Sequence, residues 1–106
     1  MARALVNVPA KARRGEIIEI KALVSHPMEP GYRVGTNGQL LPRDIVRVFV
    51  CRSGDKEVFR AELFSAVSAN PYLAFHVRAA ETALLSFTWT GDNGFTHMET
   101  VPLNVT

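Results

Sequence analysis

One cysteine, three histidines and three methionines are the side chains here that could bind a soft metal or carry sulfur. A blue-copper centre needs one Cys, two His and a weak axial Met. Those ligands usually come from one short loop, so that the backbone fixes their geometry. Here Cys51 is followed by Arg52-Ser53-Gly54, and the next histidine is His76. The spacing does not fit copper. A mononuclear iron site of the superoxide-reductase kind, which also sits on an immunoglobulin-like fold, needs four histidines against the three present and fails by count. His26 and Met28 stand two apart in a proline-containing loop, a pair that could hold a soft metal but is read as part of an interface. His76 and His97 alternate with apolar neighbours, and both are expected to face solvent from strands.

Cys51 has the most chemical interest. A thiolate could carry sulfur if it were exposed and its pKa lowered. Cys51 lies inside a strand pattern, in phase with Phe49 and out of phase with Val48 and Val50, and Arg52 points to the opposite face. A packed, inert thiol is the expectation. No Ser-His-Asp order, paired acids or glycine-rich phosphate loop is present. The residues therefore predict no catalytic site and no cofactor. The alternative is a small metal or redox protein using His26, Met28 and Cys51; a second is a stand-alone adhesion or ligand-binding domain.

The elements that position these residues must come from one short chain. Its 106 residues predict a single domain over 1–106, and 47% hydrophobic residues allow one modest core. Twelve basic and ten acidic residues give a net charge of +2, too thin an excess to imply nucleic acid. The one basic cluster, Lys11-Ala12-Arg13-Arg14, is short and lacks interleaved aromatics. No run approaches the length of a membrane helix. No signal peptide is expected: Met1 to Val8 is too short for an apolar region, and Pro9 interrupts it. Arg13-Arg14 forms a twin-arginine pair, but Glu16, Glu19 and Lys21 fall where apolar residues would follow. Taken alone, the residues predict a cytoplasmic protein.

Short runs rich in Val, Ile, Phe and Thr, separated by Gly, Pro and Asn, predict an all-β chain. About seven strands are expected: Ala2–Val8, Ile17–Ser25, Arg43–Arg52, Val58–Phe64, Tyr72–Ala80, Thr82–Thr90 and Phe95–Val105. Ile18, Ile20, Ala22 and Val24 should share one face, as should Leu73, Phe75 and Val77, and Leu85, Phe87 and Trp89. The stretch from His26 to Pro42 is irregular, with a turn at Asn37-Gly38 and local pairing near Gln39–Leu41. Glu62 to Ala69 could form a helical turn. Such spacing and alternation suggest an immunoglobulin-like antiparallel β-sandwich. In the third strand, Val46, Val48 and Val50 are expected on one face and Ile45, Phe49 and Cys51 on the other. Two apolar faces on one strand suggest cover by another chain, with Phe49 as its anchor; the alternative is cover by the long His26 to Pro42 loop.

Four segments in order resemble the SoxZ family. They are Ser25-His26-Pro27-Met28-Glu29-Pro30-Gly31-Tyr32-Arg33; Leu41-Pro42-Arg43-Asp44-Ile45 leading into Phe49-Val50-Cys51; Ala66 through Phe75; and Phe87-Thr88-Trp89-Thr90-Gly91-Asp92-Asn93-Gly94. Val34 and Gly35 depart from the family by lacking an acidic residue after the basic one. Asp92, which follows Gly91, lacks the family's further acidic residue. The resemblance implies a non-catalytic subunit of the SoxYZ carrier of bacterial thiosulfate oxidation. It implies a heterodimer with SoxY, whose C-terminal cysteine carries thiosulfate-derived sulfur, and transient contacts with other enzymes of the pathway. It further implies a periplasmic protein exported as a passenger on SoxY. Cys51 does not inherit the carrier role, because no glycine-flanked cysteine arm surrounds it. Candidate partner-binding residues are His26, Met28, Tyr32, Arg33, Phe49, Pro71 and Tyr72, placed in loops or on the second face of a strand.

Overall fold

The computed structural model describes residues 3–106, so Ala2 of the expected first strand lies outside the described residues. Eight strands follow in order among them: β1 Ala4–Asn7, β2 Lys11–Ala12, β3 Ile17–Val24, β4 Val46–Ser53, β5 Lys56–Glu62, β6 Tyr72–Arg78, β7 Ala83–Gly91 and β8 Thr96–Val105. The seven expected strands form close to their expected bounds. The eighth, β2, is two residues long and pairs in parallel with the end of β8. Glu62 to Ala69 is not helical: β5 runs to Glu62, and one turn follows in which Val67 N–H donates to the Phe64 carbonyl at 3.0 Å.

Two sheets pack face to face. One has the order β1-β3-β6, the other β2-β8-β7-β4-β5. Alternation decides which side chains meet between them. β3 buries Ile18, Ile20, Ala22 and Val24, while Glu19 and Lys21 face out. β7 buries Leu85, Phe87 and Trp89. Phe49 sits at the centre of an aromatic cluster, with ring centroids 5.2 Å from Trp89, 5.8 Å from Phe75, 6.1 Å from Phe59 and 6.3 Å from Phe87. Phe59 on β5 stacks on Phe75 on β6 at 4.1 Å and closes that side of the sandwich.

The third expected strand departs from simple alternation. Val46 pairs with Gly91 and Val48 pairs with Thr90, so Arg47 is an extra residue on β4. This bulge shifts the parity of everything after it. Val46 and, three residues on, Phe49 therefore both reach the core, each with no exposed surface. The expected grouping of Val46 with Val48 and Val50 is corrected. Val48 and Val50 take the outer face, where Val50 lies between Thr88 and Arg60 of the neighbouring strands. The second apolar face is thus partly covered from within the chain, and Phe49 is a core residue, not a surface anchor.

Candidate partner-binding surface

Between β3 and β4 the chain leaves the sandwich as an arm, and its base is built from the histidine loop. His26 N–H donates to Asn70 Oδ1 at 3.0 Å, and Asn70 N–H returns a bond to the His26 carbonyl at 2.8 Å. The imidazole Nδ1 accepts from Met28 N–H at 3.0 Å. In the neutral ring, that bond leaves the proton on Nε2, which lies 3.7 Å from Asp44 Oδ1. The ring meets Phe95 edge-on at 4.8 Å. Met28 adopts a left-handed φ of 53°, which turns the chain outward while its thioether folds back to accept from Val46 N–H at 3.2 Å. His26 and Met28 are both buried and are spent on holding the arm.

The arm itself is a distorted hairpin. Glu29 and Asp44 exchange backbone bonds of 2.9 and 2.8 Å at its base, and Leu41 N–H donates to the Arg33 carbonyl at 2.8 Å further out. Val34 bridges Leu40 near the tip, beside the expected Asn37-Gly38 turn. Gly31, at φ 92°, lies where a Cβ would stand 3.0 Å from the Arg43 Cβ, so the two legs cross closely there. Arg33 forks onto the Glu29 carboxylate and holds it below the usual carboxylate range. The arm presents Tyr32, Val34 and Leu40 at 78, 63 and 64% exposure. Three large apolar groups thus stand exposed on one segment.

A second latch joins arm to sandwich. Arg43 donates to both Asp92 carboxylate oxygens at 2.8 and 2.9 Å, and Ile45 N–H adds a third bond at 3.2 Å. The hydrogen bonds from Arg43 above all hold the Asp92 carboxyl below its ordinary value of 3.8. Because the folded pKa is the lower one, this contribution is present above the ordinary value and is lost as pH falls through the lowered one. Asp92→Asn should therefore lower the melting temperature at neutral pH, and the gap to wild type should close in acid well below 3.8. A gap that persists unchanged into acid would mean that the charge of Asp92 contributes nothing.

A second exposed patch lies on the outer face of the three-stranded sheet. Leu5 pairs with Leu23 and Leu23 with Tyr72, so three apolar side chains form a row across β1, β3 and β6. Leu5 is 74% and Tyr72 55% exposed. Tyr72 is held there by Pro71, which is buried and whose carbonyl accepts from Val24 N–H at 3.3 Å.

The seven candidate residues thus separate. Tyr32, Arg33 and Tyr72 are on the surface, the first two on the arm and the third on the sheet face. His26, Met28, Phe49 and Pro71 are interior, so their expected role as surface contacts is corrected to one of support. Val34, Leu40, Leu5 and Leu23 were missed. The signal for Leu23 was in the sequence, since it shares parity with Glu19 and Lys21. His76 faces solvent as expected, but His97 shares parity with Val101 and Leu103 and turns to the inner face. There it lies against Trp89 at 5.9 Å and bonds Glu99 at 2.6 Å.

Cys51 is fully buried, paired in register between Phe59 and Phe87. Burial pushes its thiol up to about 12, so almost no thiolate exists near neutral pH. In the folded protein Cys51 should resist an aromatic disulfide reagent, reacting only when denaturant opens the core. Cys51→Ser should cost about 1–3 kcal/mol, because the core offers its hydroxyl poor partners. Rapid labelling of native protein would contradict this. Among the described residues, no three His, Cys, Asp or Glu side chains gather as a metal site.

These features define a class: a small all-β sandwich in which Cys51, His26 and Met28 are buried and several large apolar side chains are exposed. The family model for the sulphur oxidation protein SoxZ matches residues 6–102, and the chain belongs to that family. No curated protein matches it significantly. Among solved structures it is similar to a superoxide reductase (neelaredoxin) from Ignicoccus hospitalis, with TM-score 0.75 and 12% identity over 97% of this chain and 79% of that one. It is also similar to a putative superoxide reductase from Thermotoga maritima, with TM-score 0.68 and 16% identity over 97% and 85% of the two chains. At such identities the likeness shows a shared fold alone.

Proposed function

We propose that this chain is the non-catalytic subunit of a SoxYZ-type sulfur carrier, binding a SoxY-like subunit that bears the sulfur on its own cysteine. The burial of Cys51 carries this reading. A chain of a sulphur oxidation family whose one cysteine is sealed in the core needs a partner to hold sulfur covalently. The exposed apolar groups of the arm and of the β1-β3-β6 face fit a binding role. The site of action on this reading is the periplasm, reached bound to the exported partner, where other enzymes of sulfur oxidation dock transiently.

The test is reconstitution with a SoxY-like subunit, followed by incubation with thiosulfate and the pathway's conjugating enzyme. Intact-mass measurement of each chain should show the added sulfur group on the partner and none on Cys51. A mass increase on this chain, abolished in Cys51→Ser, would overturn the proposal.

A further inference from the structure

Two Asn-Gly pairs occur in the chain, Asn37-Gly38 on the arm and Asn93-Gly94 between β7 and β8, and all four residues are exposed. Asparagine before glycine has an intrinsic reactivity. The backbone nitrogen that follows can attack the side-chain amide carbon, and glycine has no side chain to block the approach. The other three asparagines are poorly placed for this chemistry. Pro71 leaves no N–H after Asn70, while Asn7 and Asn104 lie in paired strands before Val8 and Val105, whose branched side chains crowd the nitrogen.

The two pairs are held very differently. Gly38 N–H donates to the Gly35 carbonyl at 3.0 Å and Gly35 N–H to the Gln39 carbonyl at 2.7 Å. Thr36-Asn37-Gly38 is therefore a three-residue hairpin loop with its glycine at φ 81°. Asn37 Oδ1 accepts from Gln39 N–H at 3.0 Å, a bond that draws electron density from the carbon to be attacked. All these bonds lie within the loop, and none of its residues is buried. Opening it breaks three neutral hydrogen bonds and no core packing.

Asn93 is bracketed by anchored neighbours. Asp92 accepts both Arg43 bonds and the Ile45 N–H, and its own N–H donates to the Ile45 carbonyl at 2.9 Å. Phe95 N–H donates to the Asp92 carbonyl at 3.1 Å, and its ring packs against His26. Asn93 itself is left-handed, with φ 59° and ψ 32°. At that ψ the Gly94 nitrogen lies on the side of Asn93's own backbone nitrogen, turned away from the Cβ that carries the amide. Attack there requires the charge-assisted latch to open.

We propose that Asn37 is a self-modifying site, losing ammonia to a cyclic imide with Gly38 and opening to isoaspartate or aspartate, while the fold withholds Asn93 from the same reaction. The Gly38 nitrogen bonds to Asn37 Cγ, the Cγ–Nδ2 bond breaks, and the Gly38 proton leaves with the ammonia. Water then adds to either imide carbonyl. The sum is amide plus water giving carboxylate plus ammonium, with no oxidant or reductant. Opening to isoaspartate routes the backbone through the side-chain methylene, so the lengthened loop cannot keep Gly35 paired with Gln39. A new negative charge then stands between exposed Val34 and Leu40 at the tip of the arm. The inference is independent of the partner reading above.

The test is to age the full chain at neutral pH and body temperature, in buffer and in urea. Peptide mapping by tandem mass spectrometry then separates isoaspartate from aspartate at each position. In buffer Asn37 should convert at least about tenfold faster than Asn93, because its loop opens at the lower free energy. In urea, where the fold no longer discriminates, the two should convert at similar rates. Gly38→Ala should slow conversion of Asn37 in both conditions by crowding the nitrogen, and leave Asn93 unaffected. Amide exchange at Gly35 should be faster in the aged chain. Equal rates at the two sites in the folded chain overturn the proposal, as does an Asn37 that converts only in urea. Aspartate without isoaspartate overturns the imide route, and unchanged exchange at Gly35 overturns the remodelling of the tip.

Discussion

Phe49→Ala should destabilise the isolated chain by about 3–5 kcal/mol, the usual cost of removing a fully enclosed aromatic ring. A domain of this size holds only about 5–15 kcal/mol in total, so the loss is a large share of its stability. Phe49 touches four aromatic rings and links Phe75 of one sheet to Trp89 and Phe87 of the other. No neighbour can collapse into the space without opening the contact between sheets. Chemical unfolding gives the number, and titration of the remaining folded fraction with a SoxY-like subunit gives a second reading. Near wild-type stability with weakened binding would return Phe49 to the interface.

Gly91→Ala should be nearly as costly for a different reason. Gly91 has an extended backbone, φ −160°, that any residue can adopt. Space is what it lacks. A Cβ there would lie 2.3 Å from the Ile45 carbonyl oxygen and 2.9 Å from the Val46 Cα, both backbone atoms that no rotamer change can move. The crowding comes from the bulge at Arg47, which presses β4 onto β7 at this pair. Relief would require the bulge to shift, with loss of the bonds between Asp92 and Ile45 that fix the arm. A loss of at least about 3 kcal/mol is expected, at the upper end of overpacking effects. Gly94→Ala is the control. Its φ of 74° strains an alanine, but nothing lies near the added carbon, so about 1 kcal/mol is expected. Equal effects of the two substitutions would refute the steric account.

The contrast between those two glycines also shows what the residue pattern could convey. Strands such as Ile17–Val24 and Ala83–Gly91 are legible because one face is wet and one dry, and the alternation records it. The slip at Arg47 leaves no such record. In Val46-Arg47-Val48-Phe49-Val50-Cys51 nearly every residue is apolar, so nothing in the letters marks which one is extra. Phe49 was therefore placed on the wrong side of its strand. β2 was invisible for another reason: two residues carry no period, and their partner is some ninety positions away in β8. The interior placing of His26 and Met28 is likewise non-local. It depends on Asn70 reaching back across 44 positions to close the loop. Loop residues read as exposed were exposed only where, as at Tyr32 and Arg33, no distant segment folds over them.

The described chain measures 58 × 20 × 19 Å, nearly three times as long as it is wide. A compact protein of 11.7 kDa would show roughly 5,900 Å² to water. This one shows 6835 Å². The difference of about 900 Å² is close to what one partner contributes to a standard protein–protein interface. The slender outline, with its arm at one end, leaves the domain with one interface's worth of surface that its own fold does not cover. Association would supply the missing burial, and any partner that binds only the folded chain raises its stability by mass action. The melting temperature of this protein should accordingly depend on how much partner is present.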